Sequence, residues 1–345
     1  IPNEISPIQR DSLAKKYREM ITKKLRPKYA ELKKFLVEEY LPNSRVTSGF
    51  VDLPHGKETY DYLIRLHTTL NLSADQIHEL GKKEVKRILI EMEDAKNKIG
   101  FEGDIKAFFE YIRNSPEQMP FKNPNEVIDN FNSIKEKINK KFNETFELSP
   151  KASFIVKRTE AFREASASAE YVPGTKDAKR PGIFYVPIPD ISKYNKFSDE
   201  ALFLHEAIPG HHYQLSLQQE NKDLPEFLHP ESMGVFVEGW ALYAESLGKE
   251  LGLYEDPIQY FGMLSMEMHR AIRLVVDTGI HSLGWTREKA ILYSLENEAA
   301  SEESIIAEIE RYMATPGQAL SYKMGQIKIS ELRSKAELEL GENFD

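Results

Sequence analysis

Three histidines and a carboxylate fall within eight consecutive positions, His205-Glu206-Ala207-Ile208-Pro209-Gly210-His211-His212. Imidazole nitrogens and carboxylate oxygens are the donors from which a catalytic zinc takes about three ligands, leaving a further position open. In the familiar H-E-x-x-H arrangement two histidines stand at i and i+4 on one helical face, with the glutamate between them as general base. Here the i+4 position is Pro209. On an unbroken helix His211 would lie about 120° off the face of His205, and His212 would regain that face roughly 10 Å further along the axis. Neither suits one shared metal. Proline removes a backbone donor and clashes with the preceding turn, and glycine accepts unusual dihedrals. A kink or bulge at Pro209-Gly210 would therefore bring a later histidine back beside His205. His211 is the nearer ligand and His212 its competitor. The rival reading is a pair of surface or cap histidines at an interrupted helix. The chain has no cysteine, which leaves any metal to His, Asp and Glu and excludes a thiol nucleophile.

A third ligand is sought on the helix that follows. Phe236-Val237-Glu238-Gly239-Trp240-Ala241-Leu242-Tyr243-Ala244-Glu245 is apolar enough to make its carboxylates conspicuous. Glu238 is the preferred ligand. Glu245 is either an alternative or an acceptor for the N–H of a ligand histidine. Further on, Arg270, Arg273, Asp277 and His281 recur at three- and four-residue steps. They read either as a functional face or as an Arg273–Asp277 pair on a solvated one. Arg270 or Arg273 is a candidate to hold a substrate carboxylate. Pro316-Gly317 breaks the chain before a polar-aromatic stretch that presents Tyr322. His67 and His78 read as isolated, hydrogen-bonded structural histidines.

Mostly helical elements must position these groups. Tyr17, Ile21, Leu25, Tyr29, Leu32, Leu36 and Tyr40 recur every three or four residues, which predicts one long amphipathic helix over the first 45 residues, bent near Pro27. A helix is expected over 60–69. Ser73 and Gln76 form a capping-box pattern for a helix ending at Gly100, and helices are predicted over 104–114 and 124–143. Short β-like runs appear at 151–158 and 182–187; proline at both ends of the second predicts an edge strand or ribbon. Such an edge beside a metal would suit a peptide substrate pairing through its backbone. Ser198 or Asp199 is expected to cap the helix that carries His205, and Thr286 and Ser301 fall at the starts of two later helices. The expectation is a mainly α protein with a small β ribbon or sheet near the metal-binding helix. It is read as one extended catalytic domain over 1–345, with a helical subregion over 1–150 and a metal-site subregion over 151–345.

Composition supports a globular chain: 345 residues, 41% hydrophobic and 29% charged. A net charge of −9 argues against general nucleic-acid binding. No apolar run reaches the length of a membrane span, and the opening Ile-Pro-Asn-Glu lacks a signal-peptide pattern. The absence of an initiator Met suggests a processed or truncated product.

The same residues carry a family resemblance. The block from His205 to His212, Glu238 to Glu245, Asp277-Thr278-Gly279-Ile280-His281 and Pro316-Gly317-Gln318-Ala319 through Tyr322 resemble a large bacterial family of uncharacterised "putative lipoproteins" grouped with predicted zinc metallopeptidases. Leu66-His67-Thr68-Thr69 and Ile77-His78-Glu79-Leu80-Gly81 match it too, so the likeness covers most of the chain. Members are longer at the N-terminus and frequently exported. The resemblance therefore implies a C-terminal catalytic region of an exported or envelope-associated protein. More distantly, the layout is similar to the helical gluzincin peptidases, whose two histidines stand four apart, unlike those here. That likeness implies one zinc ion held by His205, His211 (or His212) and Glu238. It also implies peptide hydrolysis with Glu206 as general base, and Tyr322 and His281 as oxyanion stabilisers. A carboxypeptidase- or dipeptidase-like activity would use Arg270 and Arg273. The contrasting expectation is an inactive metal- or peptide-binding protein on the same scaffold.

Overall fold

Local capping chemistry sets many of the helix boundaries. The computed structural model describes residues 5–229 and 233–344; the first four residues, where a signal pattern was sought, lie outside them. The chain divides into two compact units, Ile1–Thr47 and Ser48–Asp345.

The first unit is helical: α1 (Pro7–Met20), a wide i→i+5 turn (Ile21–Leu25), α2 (Arg26–Phe35) and a second wide turn (Leu36–Tyr40). The irregularity expected at Pro27 takes the form of the first wide turn, in which the Arg26 N–H donates to the Ile21 carbonyl. The apolar stripe from Tyr17 to Tyr40 advances about 3.8 residues per step. On a plain helix of 3.6 residues per turn it would drift ~140° around the axis. Each wide turn takes up one extra residue, or ~100°, and two of them cut the drift to about 60°. The stripe is thus kept on one side, and all of it is exposed, from 39% at Leu36 to 72% at Tyr29.

The second unit begins with α3 (Gly56–Thr68) and α4 (Ala74–Ile99), the latter opened by the Ser73–Gln76 capping box and closed by left-handed Gly100. Next come α5 (Ile105–Asn114) and α6 (Pro124–Thr145), capped by Asp104 and Asn123. Three strands follow, β1 (Phe154–Arg158), β2 (Glu170–Val172) and β3 (Gly182–Val186). Their order is β1-β3-β2, with β1 parallel and β2 antiparallel to β3. This corrects the edge-strand expectation: β3 is central. Pro181 and Pro187 lie just outside its ladder, so neither removes a needed donor. The three-residue β2 is too short to carry a periodic signal.

The remaining helices are α7 (Asp199–Glu206), α8 (His211–Glu220), α9 (Gly234–Ser246), α10 (Pro257–His281), α11 (Arg287–Asn297), α12 (Glu302–Ala314) and α13 (Ser321–Leu340). Neither Ser198 nor Asp199 caps α7 through its side chain. Asp199 instead points inward and accepts from Tyr194 and Asn130. The result is a mainly helical body with one small sheet. Its main core joins α4 to α7, the sheet and α10; residues such as Phe131, Phe184, Phe203 and Phe261 are fully buried there. Each such side chain contributes roughly 1.5–3 kcal/mol relative to exposure. A smaller cluster of Tyr60, Ile64, Ile77, Leu274, Leu320 and Met324 ties α3 to α10 and α13.

Candidate metal centre

Ala201, Phe203 and Leu204 anchor α7 in the core with no exposed surface, and its last turn carries His205 and Glu206 inside with them, 3% and 6% exposed. The helix then stops. Ala207 leaves helical geometry, Ile208-Pro209 is a cis peptide, and α8 begins afresh at His211. A Cβ on Gly210 would lie 1.9 Å from the His205 carbonyl oxygen and 2.2 Å from that of Leu204. Glycine therefore lets the start of α8 fold back onto the end of α7. Trp240 fixes this linker from α9, its indole N–H donating to the Pro209 carbonyl at 2.7 Å. The sequence suggested a kink or local bulge, and the chain makes it as a break between two short helices, bridged by the Tyr213 N–H donating to the Ala207 carbonyl at 3.3 Å. The rings of His205 and His211 meet edge-on, with centroids 4.8 Å apart.

Glu238 arrives from α9, which crosses α13 so closely that a Cβ on Gly239 would sit 2.4 Å from the Gly325 Cα. Its Oε2 lies 3.7 Å from His205 Nε2 and 3.5 Å from His211 Nε2. Two ligand atoms each ~2.1 Å from a tetrahedral ion stand about 3.4 Å apart, so these separations suit one zinc-sized cation. Among the described residues, one donor atom from each of His205, His211 and Glu238 lies within 4.8 Å of the others.

Glu245, two turns along α9 and 1% exposed, accepts from His205 Nδ1 at 2.7 Å. That bond fixes the imidazole tautomer and leaves the Nε2 lone pair facing Glu238. Glu238 Oε2, Glu206 Oε2 and His211 Nδ1 are buried without a hydrogen-bond partner. Three carboxylates beside two imidazoles form a buried excess of negative charge, which is costly unless a cation balances it. The electrostatics respond accordingly. Burial depresses the His205 pKa, but Glu238 and Glu245 outweigh it and raise the value to about 9. Burial would raise the Glu238 carboxyl, yet His205 and His211 hold it far below the usual range. The donor set and the orphaned atoms fit a divalent metal.

His212 faces elsewhere. Its Nδ1 hydrogen-bonds the Tyr171 hydroxyl of β2 at 2.8 Å, and its ring packs on Phe154 with centroids 4.5 Å apart. Burial first, then nearby Lys135, lowers its pKa to about 4, so it is a neutral packing residue. His281 also lies in a separate network. Its Nδ1 accepts from the Phe50 N–H at 3.2 Å and its Nε2 donates to the Tyr312 carbonyl at 3.0 Å. Both ring nitrogens thus hold backbone segments together, which leaves neither for the oxyanion role implied by the resemblance.

Of the two readings of Arg270 to His281, the Arg273–Asp277 pair on a solvated face is not formed among the described residues, and both side chains are buried. Asp277 is fully buried, accepting from Tyr60 at 2.5 Å and from the Gly317 N–H at 3.0 Å. Arg273 instead donates to Glu308 and to the Tyr312 hydroxyl. Its guanidinium, with that of Arg270, lies over the Tyr322 ring at 4.5 and 5.9 Å. His78 is structural, its Nδ1 within reach of Thr278 Oγ1 and the Val275 carbonyl. Sequence reading missed the Trp240 brace and the buried Lys323, which pairs with Glu84 and Glu267. One of only two tryptophans two positions after the candidate ligand Glu238 was the available hint of the first.

Residues 3–345 match the family described as "Bacterial protein of unknown function (DUF885)", and the chain belongs to that family. No curated protein matches it. The crystal structure of a "putative lipoprotein from Colwellia psychrerythraea" is similar, with 34% identity and a TM-score of 0.95 over 99% of this chain and 60% of that one. A "putative lipoprotein of unknown function from Shewanella oneidensis" shares the fold at 20% identity and a TM-score of 0.73, over 99% of this chain and 64% of that one. The chain therefore spans less than two thirds of either protein.

Proposed function

We propose that this member of the DUF885 family is a zinc-dependent peptidase in which Glu206 carries the proton. The observation behind the reading is the convergence of His205, His211 and Glu238 beside Glu206, whose buried Oε2 has no protein partner. When bound, zinc would supply Lewis acidity, lowering the pKa of a water and polarising a scissile carbonyl. Glu206 takes the proton of the attacking water and returns it to the leaving amine. Glu245 holds His205 in the tautomer that offers Nε2. Tyr322, on the helix that Glu238's neighbour Gly239 touches, is the candidate donor to the developing oxyanion. The description of two structural relatives as lipoproteins supports an exported or envelope-associated setting.

Substituting Glu206→Gln separates catalysis from binding. The variant is expected to hold zinc at the wild-type stoichiometry, measured by elemental analysis, and to lose at least about 100-fold in peptide hydrolysis, the scale of general acid–base catalysis. Zinc-loaded wild type that cleaves no member of a broad peptide library would instead make this a metal- or peptide-binding protein.

A further inference from the structure

The two compact units differ sharply in charge. Residues 1–47 hold 11 Lys and Arg against 6 Asp and Glu, a net charge of +5, whereas residues 48–345 hold 35 against 49, a net charge of −14. Little of the first unit's positive charge is neutralised within it. Ion pairs join Lys23 to Glu19, Lys28 to Glu31 and Lys34 to Glu38. Lys15, Lys16, Arg18, Lys24, Arg26 and Lys33 have no carboxylate within 4.0 Å among the described residues. Several of these cations flank the exposed apolar stripe. Lys16 precedes Tyr17, Lys24 precedes Leu25 and Lys33 follows Leu32, each about 100° around the helix from its stripe neighbour.

The stripe and the cations together restrict what can cover this face. A second copy would set one net positive helix against another, and a nucleic acid would neutralise the cations but leave the apolar side chains in water. The surface of a bilayer containing anionic lipids satisfies both. Ile21, Leu25, Leu32 and Leu36 enter the acyl boundary, while Tyr17, Tyr29 and Tyr40 keep their hydroxyls at headgroup level. The flanking lysines lay their stems along the apolar surface and reach the lipid phosphates. No helix among the described residues is long and apolar enough to cross a membrane, and a helix that is charged over the rest of its circumference lies in the plane of the surface. We infer that the stripe from Tyr17 to Tyr40 docks on the surface of an anionic lipid bilayer. The inference is independent of the metal centre and of peptidase activity.

The test is co-sedimentation of the 345-residue protein with phosphatidylcholine vesicles made with and without phosphatidylglycerol. Binding is expected to be at least about tenfold tighter with phosphatidylglycerol and to weaken as salt rises. Leu25→Gln with Leu32→Gln should weaken binding to the anionic vesicles by about tenfold or more, because the buried apolar area is lost. Lys16→Gln, Lys24→Gln and Lys33→Gln together should remove most of the preference for phosphatidylglycerol, at roughly fivefold for each lysine. All five side chains are exposed, so helical circular dichroism should be unchanged in both variants. Equal binding to the two vesicle types, binding to neither, or a preference that survives both sets of substitutions overturns the inference. A stripe-dependent dimer in analytical ultracentrifugation that leaves the vesicles unbound assigns the face to a second copy, and tighter binding to duplex DNA than to vesicles assigns the cations to nucleic acid. Either result also overturns it.

Discussion

His211 and His212 are neighbours in the chain but meet opposite surroundings. One faces Glu238, and the other is packed between Phe154 and Tyr171. Their substitutions should therefore separate cleanly. His211→Ala is expected to abolish stoichiometric zinc binding. Glu245→Gln, which removes a partner that orients a ligand, should weaken binding by about 10- to 100-fold. His212→Ala should leave zinc affinity unchanged and cost roughly 1–3 kcal/mol of stability from the cavity it opens. Calorimetric zinc titration and urea unfolding of the three variants check that order, and zinc loss in His212→Ala alone would reverse the ligand assignment.

Asp199 provides a second test at this scale. Burial pushes its carboxyl up to about 8, only partly opposed by hydrogen bonds from Tyr194 and Asn130. The folded chain thus keeps a proton there that the unfolded chain sheds near pH 4. Between those values unfolding releases a proton, so this group makes stability fall as pH rises. Asp199→Asn should flatten that fall, giving a smaller difference in urea midpoint between pH 5 and pH 8 than wild type shows.

The decisive element is the break between α7 and α8. It places two helix-borne histidines side by side without the i,i+4 spacing, and it depends on Gly210 having no side chain. Gly210→Ala puts a methyl group against two backbone carbonyls that are themselves part of α7. Backbone cannot swing aside as a flexible side chain can, so the expected outcome is displacement of His211. Zinc affinity should fall by more than tenfold, with helical circular dichroism nearly unchanged. Retained affinity would mean that the linker has another route. The α9–α13 crossing works on the same principle, since Gly239 and Gly325 let the two helices pack backbone to backbone.

For the second unit as a whole, the centre joins α7, α8 and α9, which are also held by packing and by hydrogen bonds from Trp240 to the Pro209 carbonyl, Gln214 to the Phe236 carbonyl and His205 to Glu245. Zinc bound only by the folded state stabilises it by about 2.7 kcal/mol at a free concentration a hundredfold above Kd. Chelation is therefore expected to lower the Tm by several degrees, and added zinc should restore it while magnesium does not. A Tm indifferent to both would argue against a structural contribution from metal.

Much of this protein was determined locally. The helices at 74–99, 105–114 and 302–314 follow from caps and periodicity, because an N-cap side chain and an apolar stripe act within a few residues. The His-Glu pair and Glu238 were legible as donors for the same reason: residue type and spacing restrict which metal-binding chemistry is available. Only the tertiary structure shows which of His211 and His212 lies beside His205 and Glu238, because that depends on a backbone break packed tightly among Leu204, His205 and Gly210 and braced by Trp240. Tertiary packing likewise assigned His281 and Asp277 to buried scaffolding and, among the described residues, left Arg270 without a carboxylate partner. Sequence spacing places a side chain on a helix face, but the partners that satisfy or fail to satisfy it come from elsewhere in the chain.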